Sequence, residues 1–237
     1  MNLDGGGSLN RDDDTTRIET FSDGVFAIAI TLLVLEIRVP EIEEGGSLFG
    51  ALFGLWPSYL AFALSFLVIG TMWANHHNRF RYIARSDHIL LFVNTLLLMF
   101  MAFIPFPTAL LAEYGLGSAD ERMAAAVLYS GTLAVTAVFF TLLWLYAATN
   151  RRLVNRDLSP HLLRVMTRRY VFGVLLYAVA FALAFVAPVA SLALIAGLAL
   201  LFVLPEPDER RYPNDPGNED GESAPEDAQS AERPCKG

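Results

Sequence analysis

"RIETFSDGVFAIAITLLVLEI", residues 17–37, is the stretch on which the reading of this chain turns, and its two halves disagree. The second half is apolar enough to cross a lipid bilayer as a helix. The first half sets Arg17, Glu19, Ser22 and Asp23 where that helix begins. At about 1.5 Å per residue Asp23 lies roughly 9 Å past Arg17. An unpaired carboxylate at membrane depth costs about 2.5–3.5 kcal/mol. Asp23 therefore needs partners, and finding them means reading the rest of the chain.

Composition sets the class. Of 237 residues, 54% are hydrophobic and 18% charged, and the mean hydropathy is +0.42. A soluble domain carries about 25% charge. Apolar runs long enough to span a bilayer fall at about 17–39, 49–75, 87–112, 122–149, 164–187 and 189–204. The expected fold is an all-α integral membrane protein with six transmembrane helices, the last two forming a tight hairpin about Pro188. Residues 1–16 are polar, acidic and glycine-rich, lack the apolar core of a signal peptide, and read as a disordered leader. Residues 17–204 form the membrane domain. In residues 205–237 ten acids face four bases, a net −6 of the chain's −8. This proline- and glycine-rich segment reads as a disordered acidic tail. It holds the single cysteine, Cys235, so no intrachain disulfide can form.

Orientation follows from where arginine sits in the short loops. Arg79, Arg81 and Arg85 follow the second run; Arg151, Arg152, Arg156, Arg164, Arg168 and Arg169 follow the fourth. The odd-numbered loops hold only Arg38 and Arg122, among several acids. The even-numbered loops and both termini are thus expected in the cytoplasm, in a multi-pass protein of the cell membrane.

Part of the polar start is ordinary helix chemistry. Thr16 and Glu19 have the spacing of a capping box, and an acid in a first turn suits the helix dipole. Asp23 is not explained that way. With about 100° of rotation per residue, Gly24, Ile28, Thr31, Leu32, Leu35 and Val39 form one stripe, and Asp23 points well over 100° away from Ile28. The other polar groups at that depth are Trp73, Asn75, His76 and His77, ending the second run, and Asp87, His88 and Asn94, opening the third. A buried Asp–Trp–His–Asn network tying the first three helices together satisfies them most simply.

"RIETFSD" followed by "GVFAIAITLLVLEI" resembles the RxxxFSD signature of the transmembrane protein 175 family of potassium channels. "WANHHNRF" and "NTLLLMFMAFIPFPTALL" resemble that family's second-helix end and third helix. The signature occurs once, as in the single-repeat prokaryotic members. The resemblance implies a bacterial homotetramer whose four first helices line a central, potassium-permeable pore. Rings of large apolar residues would serve as gate and selectivity element, with a threonine one turn on contributing. By position after the motif these residues are Ile28, Thr31, Leu32 and Leu35, which is the stripe already found. The resemblance also implies that Arg17, Phe21, Ser22 and Asp23, with Trp73, His77 and Asn94, hold the first helix against the second and third rather than touch the ion. It implies no cofactor beyond the permeant potassium ion, and no partner beyond the chain itself and membrane lipid.

Other readings are compatible with the same residues. Apolar positions at i, i+4 and i+7 are packing in most membrane helices. Asp23 is also a candidate intramembrane acid, serving a proton-conducting protein or a secondary transporter. A transporter usually shows repeats and helices broken at mid-membrane; here the motif does not recur, and Pro57, Pro105, Pro107 and Pro188 fall towards expected helix ends. Glu36, about 80° from Ile28, either joins a cation-attracting ring at the external mouth or snorkels to the interface beside Arg38. "EYGLG" at 113–117 lacks the Thr-Val-Gly of a carbonyl-lined filter. The four histidines do not converge in sequence, so no metal or haem site is expected. No nucleophile–base set, phosphate loop or basic aromatic domain points to an enzyme or to nucleic acid. The topology is testable in a Cys235→Ser background. Gly46→Cys and Ser118→Cys label from outside intact cells, and Gly217→Cys only after permeabilisation. Labelling of Gly217→Cys from outside means an odd number of crossings and ends the six-helix reading.

Overall fold

The computed structural model describes residues 9–42, 45–149, 153–155, 158 and 160–203, with side chains from residue 15 onward. The expectations for residues 1–8, for Arg151, Arg152 and Arg156, and for the tail with Cys235 lie outside the described residues. The helices are α1 (Leu9–Leu32), α2 (Leu48–Gly54), α3 (Trp56–Phe80), α4 (His88–Phe103), α5 (Pro105–Tyr114), α6 (Ala119–Ala148), α7 (Pro160–Ala184) and α8 (Pro188–Val203). A single 3-10 turn, Leu33–Glu36, continues α1. Five segments are long and apolar enough to cross a membrane, with α4 and α5 together making one of them; α8, at 16 residues, is a shorter apolar helix. The all-α architecture with six apolar segments is the one expected. Its boundaries differ in three places.

The first helix begins at Leu9 rather than Arg17. No glycine or proline stands between Leu9 and Arg17, so nothing stops the helix from extending backwards. Thr16 is therefore inside α1 rather than at its start; its carbonyl accepts from Thr20 Oγ1 at 2.9 Å. The expected capping box is not formed, and residues 9–16 are helical rather than part of a disordered leader. The second run divides at Leu55 into the short α2 and the long α3, with Pro57 in the first turn of α3, where a missing N–H is harmless.

The third run does not continue through Ile104, because Pro105 and Pro107 have no N–H to give to the preceding turn. These prolines lie inside the crossing, not towards its end. Buried hydroxyls hold the break. Thr108 Oγ1 donates to the Ile104 carbonyl at 2.9 Å, which leaves Ser65 Oγ of α3 to donate to Thr108 at 2.7 Å. Tyr129 of α6 then donates to Ser65 at 3.0 Å. All three side chains are buried, and within a bilayer such groups must be satisfied inside the protein. The chain Tyr129–Ser65–Thr108 thereby pins α3, α5 and α6 to one another.

The loops sort onto two sides. Arg38, after the first crossing, pairs with Glu113, in the last turn of the third, at 3.7 Å. That exposed pair adds little stability, but it brings the odd-numbered loops together. On the other side Ile83 forms an antiparallel bridge with Val154, and Ala84 N and Asn155 N donate to Leu153 and Tyr82 carbonyls at 2.9 and 3.0 Å. The even-numbered loops thus meet each other, as alternating crossings require. Arg79, expected in a loop, is in the last turn of α3 and only 1% exposed. Its Nη1 donates to the Phe140 carbonyl at 2.7 Å, and its guanidinium carbon lies 3.9 Å from the Tyr170 ring centre and 4.6 Å from that of Phe140. Aromatic faces attract the cation and let it pass inside, where it joins α3 to α6 and α7. Taking Arg79 out of the loop count leaves Arg81 and Arg85, so the charge bias keeps its sign.

Thr108→Val removes the acceptor of Ser65 and the extra donor to Ile104. Leaving a buried polar group unsatisfied costs about 1–3 kcal/mol, so the variant should melt clearly below the parent protein in detergent. Equal melting would show that the prolines alone hold the break.

Candidate functional site

The first helix has two unlike faces. Ser22, Phe26, Ala29 and Leu33 recur at helical spacing and are buried, Phe26 at 1% and Leu33 at 0% exposure, where α1 packs on α3 and α4. The stripe opposite is uncovered. Ile28 is 60% and Leu35 71% exposed, and Gly24, Thr31 and Leu32 are exposed with them. Thr31 Oγ1 donates to the Ile28 carbonyl at 2.9 Å. Its proton is committed, so what the hydroxyl offers a neighbour is oxygen lone pairs. Glu36 is partly exposed and forms no hydrogen bond or ion pair among the described residues, while Arg38, its expected neighbour, reaches Glu113 instead.

The polar residues of α1, α3 and α4 form two sets rather than one network. The core set runs through buried His76, Asn94 and Ser22. His76 Nε2 lies 3.0 Å from Asn94 Oδ1, Asn94 Nδ2 donates to Ser22 Oγ at 3.0 Å, and Ser22 Oγ donates to the Ile18 carbonyl at 2.8 Å. An amide oxygen only accepts, so Nε2 carries the imidazole proton and every bond in the chain points the same way. The His76 ring is fixed further by Phe80 and Phe26, at centroid distances of 4.5 and 5.3 Å. The rim set is half-exposed. Trp73 Nε1 donates to Asp23 Oδ1 at 2.9 Å, and His77 Nδ1 lies 2.8 Å from Glu19 Oε1. The indole and imidazole stack at 6.1 Å.

Three expectations change. The single Asp–Trp–His–Asn network is split, because His76 and His77 are adjacent and so leave α3 on different sides. It is His76, not His77, that meets Asn94. Arg17 is exposed and forms no hydrogen bond or ion pair among the described residues, and Phe21 is 64% exposed. Within one subunit neither clamps α1 to its neighbours, since both project from the uncovered side of the helix. His76 and Glu19, both named from the sequence, were not expected as the partners of Asn94 and His77. The signal for Glu19 was present: Glu19 and Asp23, like Trp73 and His77, are one helical turn apart, so the two pairs can meet as parallel rows.

The profile of the family described as "Endosomal/lysosomal potassium channel TMEM175" matches residues 17–105. A potassium channel of Chamaesiphon minutus is 51% identical over 193 residues, which is 81% of this chain and 94% of that protein. The chain belongs to the TMEM175 family. A potassium channel of Streptomyces collinus is 44% identical over 189 residues, 80% of this chain and 91% of that protein. The crystal structure of a lysosomal potassium-selective channel TMEM175 homolog from Chamaesiphon minutus aligns with a TM-score of 0.73 at 48% identity, covering 81% of this chain and 97% of that one. Vertebrate members match over shorter stretches and carry the name endosomal/lysosomal proton channel. The human one is 31% identical over 145 residues, 56% of this chain and 29% of that protein. The TMEM175 profile spans both polar sets and the whole uncovered stripe.

Asn94→Leu deletes both side-chain bonds of the core set and strands the His76 N–H, a loss of about 1–3 kcal/mol per unsatisfied group. Asp23→Asn only weakens a bond at the rim. Melting in detergent should therefore fall further for Asn94→Leu; the reverse order would make the rim set the anchor of α1.

Proposed function

We propose that this chain is the subunit of a potassium-permeable channel, a cell-membrane homotetramer in which the uncovered stripe of α1 lines a central pore. The observation that carries this reading is a helix tied by one face into its subunit while Ile28, Thr31, Leu32 and Leu35 stay open on the other. The names of the bacterial relatives point the same way. Four isoleucines at position 28 close an apolar constriction that repels water, so an ion must shed hydration to pass. Below or above that ring, Thr31 presents oxygen lone pairs, the sign a cation needs. Flow is passive, down the electrochemical gradient. It involves no chemical step and no resident cofactor, and the chain is not an enzyme. The arginine-bearing loops, which meet on one side, support placing that side and both termini in the cytoplasm.

Asp23 supports the scaffold role. It accepts from Trp73 and so turns off the stripe, away from the ion path. Proton conduction is the rival, favoured by the names of the vertebrate relatives and by the depth of this acid. Flux into liposomes under imposed potassium, sodium or proton gradients separates the two, since the channel reading requires electrogenic potassium flux without a coupled counter-substrate.

The constriction has its own test. Ile28→Asn sets four amides at the ring, which hydrate it and replace lost water ligands. Potassium flux should rise several-fold and discrimination against sodium should fall. Ile28→Ala should act in the same direction more weakly. Leu175→Asn on α7, at a position 58% exposed, places an equal polarity on an uncovered face of another helix and should not change flux. If Ile28→Asn leaves flux unaltered in an assembled protein, the stripe is a packing face and the pore lies elsewhere.

A further inference from the structure

The rim set holds a charge imbalance that the channel reading leaves unsolved. Glu19 and Asp23 sit one turn apart on α1, both half-buried, and bring two carboxylates to one spot. Among the described residues the sole ion-pair partner of either is His77, which reaches Glu19. Arg17, the nearest arginine in sequence, makes no ion pair there. Trp73 gives Asp23 Oδ1 one neutral N–H. Asp23 Oδ2, Glu19 Oε2 and His77 Nε2 take no hydrogen bond among the described residues. One donor atom from each of Glu19, Asp23 and His77 lies within 4.8 Å of the other two.

We propose that Glu19, Asp23 and His77 form a binding site for a divalent transition-metal ion of the Zn2+ type, which clasps α1 to the end of α3. Zn2+ accepts both imidazole nitrogen and carboxylate oxygen, and three protein ligands leave a fourth position to water. Potassium, magnesium and calcium prefer all-oxygen sets, so the imidazole selects against them. Ligands at about 2.0–2.1 Å in a tetrahedron stand roughly 3.4 Å apart. The Glu19–His77 contact of 2.8 Å must open slightly and the widest pair must close, both by side-chain rotation at a half-exposed site. The Trp73 N–H on Asp23 orients that carboxylate from behind, as outer-shell donors do. A bound dication also removes the repulsion between the acids. The site rests on the geometry of one subunit and not on which ion the pore carries.

The test uses the full chain with Cys235→Ser, purified in detergent, stripped with a chelator and titrated with Zn2+ near neutral pH. Calorimetry should give one Zn2+ per chain, and saturating Zn2+ should raise the melting temperature, because an ion that binds only the folded protein stabilises it. Mg2+ at the same concentration should do neither. His77→Gln and Glu19→Gln should each weaken Zn2+ at least tenfold and abolish the melting shift, while melting like the parent without metal. His161→Gln should change nothing. Zn2+ affinity unaltered by His77→Gln, or a parent protein whose melting ignores Zn2+, overturns the site.

Discussion

Lipid tails are as apolar as leucine, so a membrane helix gains little by turning one apolar face rather than another towards its neighbours. A polar tie is what fixes its rotation. Here the tie is the chain from His76 through Asn94 to Ser22, with every group buried and every bond pointing one way. No water competes for these bonds, and rotating α1 by one residue would carry Ser22 away and strand the Asn94 amide N–H. The other ring nitrogen, buried His76 Nδ1, has no hydrogen-bond partner among the described residues, which is tolerable for a neutral ring nitrogen that only accepts. With Ser22 fixed inward, Phe26, Ala29 and Leu33 follow it by helical spacing.

The open face is the remainder of that choice. Once Ser22 faces α4, Ile28, Leu32 and Leu35 stay exposed in their own subunit, and a lone subunit would present them to lipid without penalty. In the channel we propose, the stripe acts only where copies meet around an axis, and side chains that are harmless against lipid there become a constriction no hydrated ion can pass. Rigidity behind the stripe matters for the same reason. The hydroxyl chain at the Ile104 break and the Arg79 sandwich lock α3, α5, α6 and α7 together, so α1 is mounted on a frame, as the proposed ring requires.

Much of this was legible in the residues. The class followed from composition, and the stripe from a period that any helix imposes. The polar groups that must meet could be named, because few exist at that depth. Their pairing could not. His76 and His77 differ by one position, and only the packing of α4 decides which of them faces Asn94. The burial of Arg79 depends on Phe140 and Tyr170, both far along the chain, so the local sequence reads as another loop arginine. The backward extension of α1 to Leu9 shows the limit of capping signals: Thr16 and Glu19 have the right spacing, but spacing marks a start only where something ends the helix before it. Arg17 and Phe21 carry the family signature yet face away from the described neighbours of α1, which no local spacing rule foretells.

Charge at the mouth of the most apolar segment then has a physical account in two parts. Ser22, small and neutral, enters the core and fixes the helix. Glu19 and Asp23 are one turn before and one residue after it, and they point to the rim, where Trp73 and His77 reach them and water is near. A carboxylate at the Ser22 position would be enclosed with no cation to meet it, since Arg79 is already held by a carbonyl and two rings. A serine at the Asp23 position would satisfy the Trp73 N–H but would leave no charge at the entrance of the helix. The order Ser-Asp thus places the hydrogen bond where rotation must be set and the charge one residue on, where solvent and a neighbouring helix can bear it.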